Sequence, residues 1–503
     1  MGVRSAIREL FSRTETPMPA PRRRMFEGAR TSRLTADWVT SASSVDAEIR
    51  SSLYALRNRA RQLCRDSDYA KQALRAIASN VVGQGIPFQA QVKQQRGNRL
   101  NTPVNDQIEQ LWAKWSRAKY CHTAGKLGFA DIERLLVRSV AESGEVLVRM
   151  VKQPFADSPV PMALEVLEAD LLDDRYNGKV ASNGNEVRMG VELDKWHRPV
   201  AYYFLPRHPG DYTFSNSTPD NYLPRTRVPA DEVIHLFLTE RPGQTRGVSW
   251  FASAIKRLHH LSGYEEAEVI RARASSALMG FITSPEGELQ GDEVLDGERV
   301  SSFEPGVFKY LAPGESVSVP QLDAPDGQFE PFIRAMLRAV SAGLGVSYES
   351  VSHDFSSTNY SSSRLSLLEE RDTYRQLQAW MIESFHQRVF EAWLDMAVLS
   401  GSLDLPLYDL DPDRYRQVRW MPRGWAWVDP QKEVEAYKAA ELAGYITKAE
   451  VIAENGGDIE DVFTQRRREL DMAEQLQLYF DTNFQQPQIP APQPDQPPAG
   501  SAP

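Results

Sequence analysis

The chain has 503 residues, 41% of them hydrophobic and 25% charged, with a formal net charge of −10. Such a chain can bury more than one core and is expected to split into modules, while no apolar run approaches the roughly 18 residues of a membrane-crossing helix. The acidic balance argues against a protein whose main task is to grip nucleic acid, since tight phosphate binding calls for a basic face. The opening Met1 to Phe11 is amphipathic with no apolar signal core, so the protein is expected to stay in the compartment where it is made. Cys64 and Cys121 have neither metal-ligand nor disulfide-framework spacing and read as buried thiols.

Residues 1–45 mix Arg, Ser, Thr and Pro, including Arg22-Arg-Arg24, and read as a flexible N-terminal arm. From Asp46 to Val82 the pattern is helical, and Gly83-Gln-Gly85-Ile-Pro87 stops it; the helix-stop reading of these glycines outweighs a phosphate loop, since the third glycine is missing. Asn105–Arg117 and Phe129–Ser143 read as two more amphipathic helices. Five β-rich runs follow, at 146–151, 162–167, 187–193, 199–205 and 233–238, and predict a sheet or small barrel. His235 alternates with apolar neighbours there, as a satisfied core or edge histidine does.

A helical stripe rich in small residues returns over Gly247–Gly280; about thirty residues would rise roughly 45 Å. Residues 281–327 carry strand-like pieces at 306–311 and 316–319 amid an excess of Asp and Glu, the pattern of a small projecting acidic module. From Phe329 to Leu344 the apolar spacing is again helical, and from Leu365 to Leu399 it continues for about ten turns. Between them Ser352-His-Asp-Phe-Ser-Ser-Thr-Asn-Tyr-Ser-Ser-Ser363 is nearly all short polar side chains and reads as a presented loop, with Asn359 or a following Ser capping the long helix. Arg416–Val428 reads as irregular or strand structure. Asp429-Pro430, Thr447 with Glu450, and Asp458 with Asp461 open three helices of a last module, and the tail from Gln485 is rich in Pro, Gln and Ala.

Catalytic patterns are missing from the sequence. It contains no nucleotide phosphate loop and no His-Glu-x-x-His, and Ser249 in Gly247-Val-Ser-Trp-Phe251 reads as a helix cap rather than a nucleophile. The clusters Glu265, Glu266, Glu268 and Glu369, Glu370 read as solvated helix faces. No catalytic residue, metal ligand or cofactor is expected.

Several segments carry a resemblance. Leu344-Gly-Val-Ser-Tyr-Glu-Ser-Val-Ser352, Asp354-Phe355, Asn359-Tyr-Ser-Ser362 and Glu369-Glu-Arg371 closely resemble the lambda-type portal proteins of tailed bacteriophages. Asn80-Val-Val-Gly-Gln-Gly85, Gly247-Val-Ser-Trp-Phe251, Tyr264-Glu-Glu-Ala267, Leu311-Ala-Pro-Gly-Glu315 and Trp425-Ala-Trp-Val-Asp-Pro430 extend it collinearly over about residues 45 to 480. The resemblance implies an α+β subunit of a twelve-fold ring at one capsid vertex, non-enzymatic, through which DNA is packaged and ejected. A packaging enzyme, motor or maturation protease, is the alternative, and the missing motifs count against it.

The same resemblance implies a domain plan. The wing would take 46–245 and 364–428, the stem helices 246–280 and 328–346, the clip 281–327, the tunnel loop 347–363 and the crown 429–480, with a disordered tail at 481–503. His353, Asp354, Ser356, Ser357, Thr358, Asn359 and Tyr360 would meet the DNA channel. Glu286, Glu288, Asp292, Glu293, Asp296 and Glu298 would dock terminase and the connector. The implied partners are further copies of the chain, double-stranded DNA without sequence preference, terminase, major capsid and scaffolding proteins and head-tail connector proteins, with no membrane. The implied location is the virion, after synthesis in the host bacterial cytoplasm.

Overall fold

The computed structural model describes residues 29, 32–94, 100–180, 183–211, 224–276, 281–283, 293–295, 298–300, 316–318, 329–356, 360–425, 430–454 and 457–478. The chain divides into two units, Met1–Ser44 and Val45–Pro503. The first carries a 3-10 turn at Arg33–Thr35. The second is a mixed helix and sheet body, the α+β class expected.

Helix α1 (Val45–Asp66) buries Ile49, Leu53, Ala60 and Cys64, and α2 (Asp68–Val81) buries Leu74, Ile77 and Val81. The helical pattern over 46–82 is divided at Ser67, whose hydroxyl accepts from the Ala70 N–H at 3.4 Å and so caps a new helix. Strand β1 (Phe88–Ala90) and helices α3 (Thr102–Trp115), α4 (Ala118–Cys121) and α5 (Phe129–Ser143) follow. Cys64 and Cys121 are free and buried, and burial pushes both thiols up to about 12, which leaves them unreactive at neutral pH.

Gly144, at φ 92°, turns the chain from α5 directly into β2 (Glu145–Val151). A Cβ on Gly144 would lie 2.5 Å from the Val248 carbonyl carbon, and one on Gly247 would lie 2.1 Å from the Gly144 oxygen. Two backbones therefore cross there with no room for a side chain, which pins 247–248 against the end of α5.

Strand β2 is central in a three-stranded antiparallel sheet with β3 (Ala163–Leu167) and β9 (Val233–Phe237), so that Val148 stands opposite Val166 on one side and Ile234 on the other. Strands β4 (Gly178–Lys179), β5 (Glu186–Arg188), β6 (Val191–Leu193), β7 (Pro199–Phe204) and β8 (Thr226–Pro229) form a second antiparallel sheet in chain order. The run 187–193, read as one strand, is a hairpin because Met189 and Gly190 take φ of 46° and 84°.

Ser249 does act as a cap, but of a 3-10 turn at Trp250–Ser253, so the helix expected from 247 begins only at α6 (Ile255–Ser276). Short strands β10 (Phe281–Thr283), β11 (Glu293–Leu295), β12 (Glu298–Val300) and β13 (Ser316–Ser318) pair as β10 with β13 and β11 with β12. The strand expected at 306–311 lies outside the described residues. Helices α7 (Phe329–Leu344) and α8 (Tyr348–Ser352) lead to α9 (Tyr360–Met381), which runs through a π-helical turn at Ile382–His386 into α10 (Gln387–Leu399).

An aromatic cluster forms where this long run meets α3 and α5. Phe385 stacks on Phe129 at 5.6 Å, and Trp112 lies 5.1 Å from Trp393. The π turn contributes Phe385 and His386; the His386 Nε2 sits 2.6 Å from Glu133 Oε1 and its Nδ1 3.0 Å from the Met381 carbonyl. Strand β14 (Val418–Trp420), in the stretch read as irregular or strand, pairs with β1.

The last module matches its sequence signals. Helix α11 (Pro430–Leu442) starts at a proline. Thr447 and Glu450 form a reciprocal capping box before α12 (Lys448–Glu454), with Glu450 accepting from the Thr447 N–H at 2.8 Å and Thr447 Oγ1 from the Glu450 N–H at 3.2 Å. Asp458 accepts from the N–H groups of Glu460 and Asp461 to open α13 (Ile459–Gln475).

Candidate functional site

The site is built where α6 and α7 deliver the chain to the polar stretch. Tyr264 of α6 meets Phe329 and Phe332 of α7 at 5.7 and 4.5 Å between ring centres. Gly345, φ 68°, ends α7, and Ser347 then caps α8 by accepting from the Ser350 N–H at 3.1 Å. Helix α8 is short because His353 takes the left-handed conformation at φ 53°, with its N–H still donating to the Glu349 carbonyl.

The residues after His353 are held tightly. Asp354 Oδ1 accepts from the Ser356 N–H at 3.0 Å and from its hydroxyl at 2.6 Å. Asp354 Oδ2 accepts from the Tyr348 hydroxyl at 2.9 Å and lies 3.2 Å from Arg334 Nη2. These donors, the Ser356 hydroxyl first, hold the Asp354 carboxyl down at about 2. Arg334 also donates to the Ser356 hydroxyl at 3.0 Å and pairs with Glu330 at 2.7 Å. Phe355 is left exposed beside a cavity of about 310 Å³ that Arg75, Ser79, Ser350, His353 and Leu367 also line.

Of the residues expected to meet a channel, His353, Asp354 and Ser356 are thus together at the end of α8, and Tyr360 opens α9, three residues before the end of the expected loop. Ser357, Thr358 and Asn359 lie outside the described residues. In the acidic module, Glu293 and Glu298 lie on the paired strands β11 and β12, opposite Val300 and Leu295 respectively. Glu286, Glu288, Asp292 and Asp296 lie outside the described residues.

One acidic reading needs correction. Glu369 is exposed, but Glu370 is buried and accepts from the Tyr374 hydroxyl at 2.7 Å and the Ser350 hydroxyl at 3.0 Å. A solvated face is therefore the wrong description of that residue: the acid serves as an internal acceptor for α8. Glu265 likewise accepts from the Tyr69 hydroxyl at 3.1 Å, and Glu268 pairs with Arg271 at 2.8 Å.

Sequence reasoning also missed a buried network at the entry to α6. Glu145 accepts from Arg57 at 2.7 Å, Arg246 at 2.6 Å, the Gly247 N–H at 2.9 Å and, at the same distance, contacts His235 Nε2. Burial alone would push the Glu145 carboxyl up; Arg246 and then His235 hold it well below its ordinary value. His235 is the satisfied core histidine expected, and no sequence spacing ties residues 57, 145, 235 and 246 together. Glu168, Asp170 and His208 offer ligand atoms within 4.8 Å of one another. Arg61 and Arg57 lie 2.6 and 3.3 Å from Asp170, so two guanidiniums already balance the two carboxylates.

The family model "phage portal protein, lambda family" matches residues 31–378. The chain is 32% identical to the probable portal protein of Halomonas phage phiHAP-1 over 91% of this chain and 89% of that protein. It is 21% identical to portal protein B of Escherichia phage lambda over 86% of each. Among solved structures, a chain from the neck of an empty gene transfer agent particle aligns at a TM-score of 0.47 and 14% identity, over 81% of this chain and 93% of that one.

Proposed function

The chain belongs to the lambda family of phage portal proteins, and we propose that twelve copies form a ring at one capsid vertex through which double-stranded DNA is packaged and ejected. A portal protein is a structural part of the virion, not an enzyme. In this reading 46–245 with 364–428 is the wing, α6 and α7 lie in the stem segments 246–280 and 328–346, 281–327 is the clip and 429–480 the crown. The clip's acidic residues dock terminase and the head-tail connector, and capsid and scaffolding proteins surround the ring. Synthesis takes place in the host bacterial cytoplasm.

The observation that carries the channel assignment is the polar turn at 353–356, held between α7 and α9 with no Lys or Arg of its own. Such a surface offers weak, breakable contacts. A dense set of cations would instead hold the phosphate backbone in place, with strong salt dependence. The first test is negative-stain imaging of the purified protein, where rings with a central hole are expected and a compact monomer would defeat the reading. The second replaces Ser356, Thr358 and Asn359 with alanine: rings should persist while packaging or retention of DNA falls. Arginine at the same three positions should slow translocation and make it salt-sensitive. Normal packaging by both sets of variants would remove the loop from the channel.

A further inference from the structure

We propose that Arg334 is a positioning residue that fixes the turn 353–356 to α7 as a rigid bracket, so that Asp354 and Ser356, through their bonds to the stem segment, set where the turn is presented. The functional consequence rests on the channel reading above; the bracket itself rests on geometry. One guanidinium nitrogen of Arg334 lies 2.7 Å from Glu330, 3.2 Å from Asp354 and 3.0 Å from the Ser356 hydroxyl. One helical turn further on, the Arg338 guanidinium lies 5.6 Å from the centre of the Tyr348 ring, and the Tyr348 hydroxyl donates to the same Asp354. Two arginines four residues apart on α7 thus address one junction, at its side-chain carboxylate and at its aromatic ring.

Two features show that this junction is fixed and not merely adjacent to α7. His353 holds a left-handed backbone at φ 53°, a conformation that a side chain other than glycine keeps only where its surroundings over-determine it. Asp354 is saturated: Ser356 supplies two donors to one oxygen, and Tyr348 and Arg334 face the other. Arg334 is shared between Glu330 and Asp354, so its charge is already engaged within the bracket and is not offered to a phosphate.

A spin label tests the bracket in the full chain. Cys64 and Cys121 are buried, so a nitroxide attached at Phe355→Cys, a position 63% exposed, reports on the turn selectively. In assembled rings the label should be immobilised. Arg334→Met should shorten its rotational correlation time at least threefold, whereas Arg334→Lys should largely restore it. Raising salt should loosen the label in the parent and not in Arg334→Met, a response that a simple packing role would not give. If Arg334→Met does not assemble, Tyr348→Phe removes one hydrogen bond to Asp354 and should give a smaller shift in the same direction. An unchanged spectrum in these variants overturns the bracket whether or not the rings package DNA. A loosened label in rings that package normally upholds the bracket and counts only against the channel reading.

Discussion

Arg246 and Glu145 meet at 2.6 Å with both side chains sealed from solvent. The carboxylate survives there because every direction is filled: Arg57 arrives from α1, His235 from β9 and the Gly247 N–H from the segment leading to α6. The Arg246 guanidinium also donates to the carbonyls of Met189 and Ala169, tying in the turn of the second sheet. One ion pair therefore joins both sheets, α1 and the entry to α6.

Breaking this pair strands a charge in the interior. Arg246→Met or Glu145→Gln should destabilise the protein by about 3–5 kcal/mol, the range for removing one partner of a buried pair. Thermal unfolding of the purified protein measures it, and a loss under about 1 kcal/mol would mean that solvent reaches the site and relaxes the stranded charge.

The same network sets a pH dependence. Burial, the leading cause, lowers the His235 pKa below its ordinary value of about 6.5. The unfolded chain then binds a proton that the folded chain refuses. Stability from this residue is complete above about pH 6.5 and falls as acid is added, by at most about 1.4 kcal/mol per pH unit. The depressed Glu145 acts with the same sign at lower pH, losing its contribution as pH falls below about 4.3 toward the folded value. Unfolding midpoints measured from pH 7.5 to 5 should drop, and His235→Gln should flatten the curve between pH 7 and 5.5.

Local signals in the chain were legible, and long-range pairings were not. Helix α5, the caps at Thr447 and Asp458 and the stop at Gly83 each depend on residues within a few positions of one another, so spacing alone reveals them. The split at Ser67 depends on a local cap as well, but the apolar spacing continues across it and hides the break. Glu145 with Arg246, Glu133 with His386, and Arg334 with Asp354 are separated by 101, 253 and 20 residues in sequence. Only the fold brings them together. In the polar stretch, the sequence showed hydroxyls and a carboxylate free to bond outward, whereas Asp354 and Ser356 are engaged with Arg334, a residue that reads along α7 as an ordinary partner for Glu330.

Helices α11 to α13 bury little apolar surface among the described residues; Leu442, Phe463 and Met472 are all exposed in the single chain. Their order therefore leans on local capping. Asp458→Ala removes the acceptor for two N–H groups at the start of α13 and should cost about 1 kcal/mol locally. Hydrogen exchange over 459–463 should accelerate about fivefold, with exchange in α5 unchanged.

The adjacent acids Glu369 and Glu370 should respond in opposite ways to removal. Glu369→Ala takes away an exposed side chain and should change stability by no more than about 0.5 kcal/mol. Glu370→Ala leaves the Tyr374 hydroxyl without its acceptor in a residue only 2% exposed, and frees the Ser350 hydroxyl that ties α8 to α9. Its cost should be about 1–3 kcal/mol, the range for a buried polar group left unsatisfied. Glu370→Gln keeps a carbonyl acceptor for Tyr374 and should fall between the two. Because Ser350 lies three residues before His353, Glu370→Ala should also raise proteolytic cleavage after Phe355 while Glu369→Ala does not. Equal behaviour of the two alanine variants in both measurements would show that the internal acceptor is not what holds α8 in place.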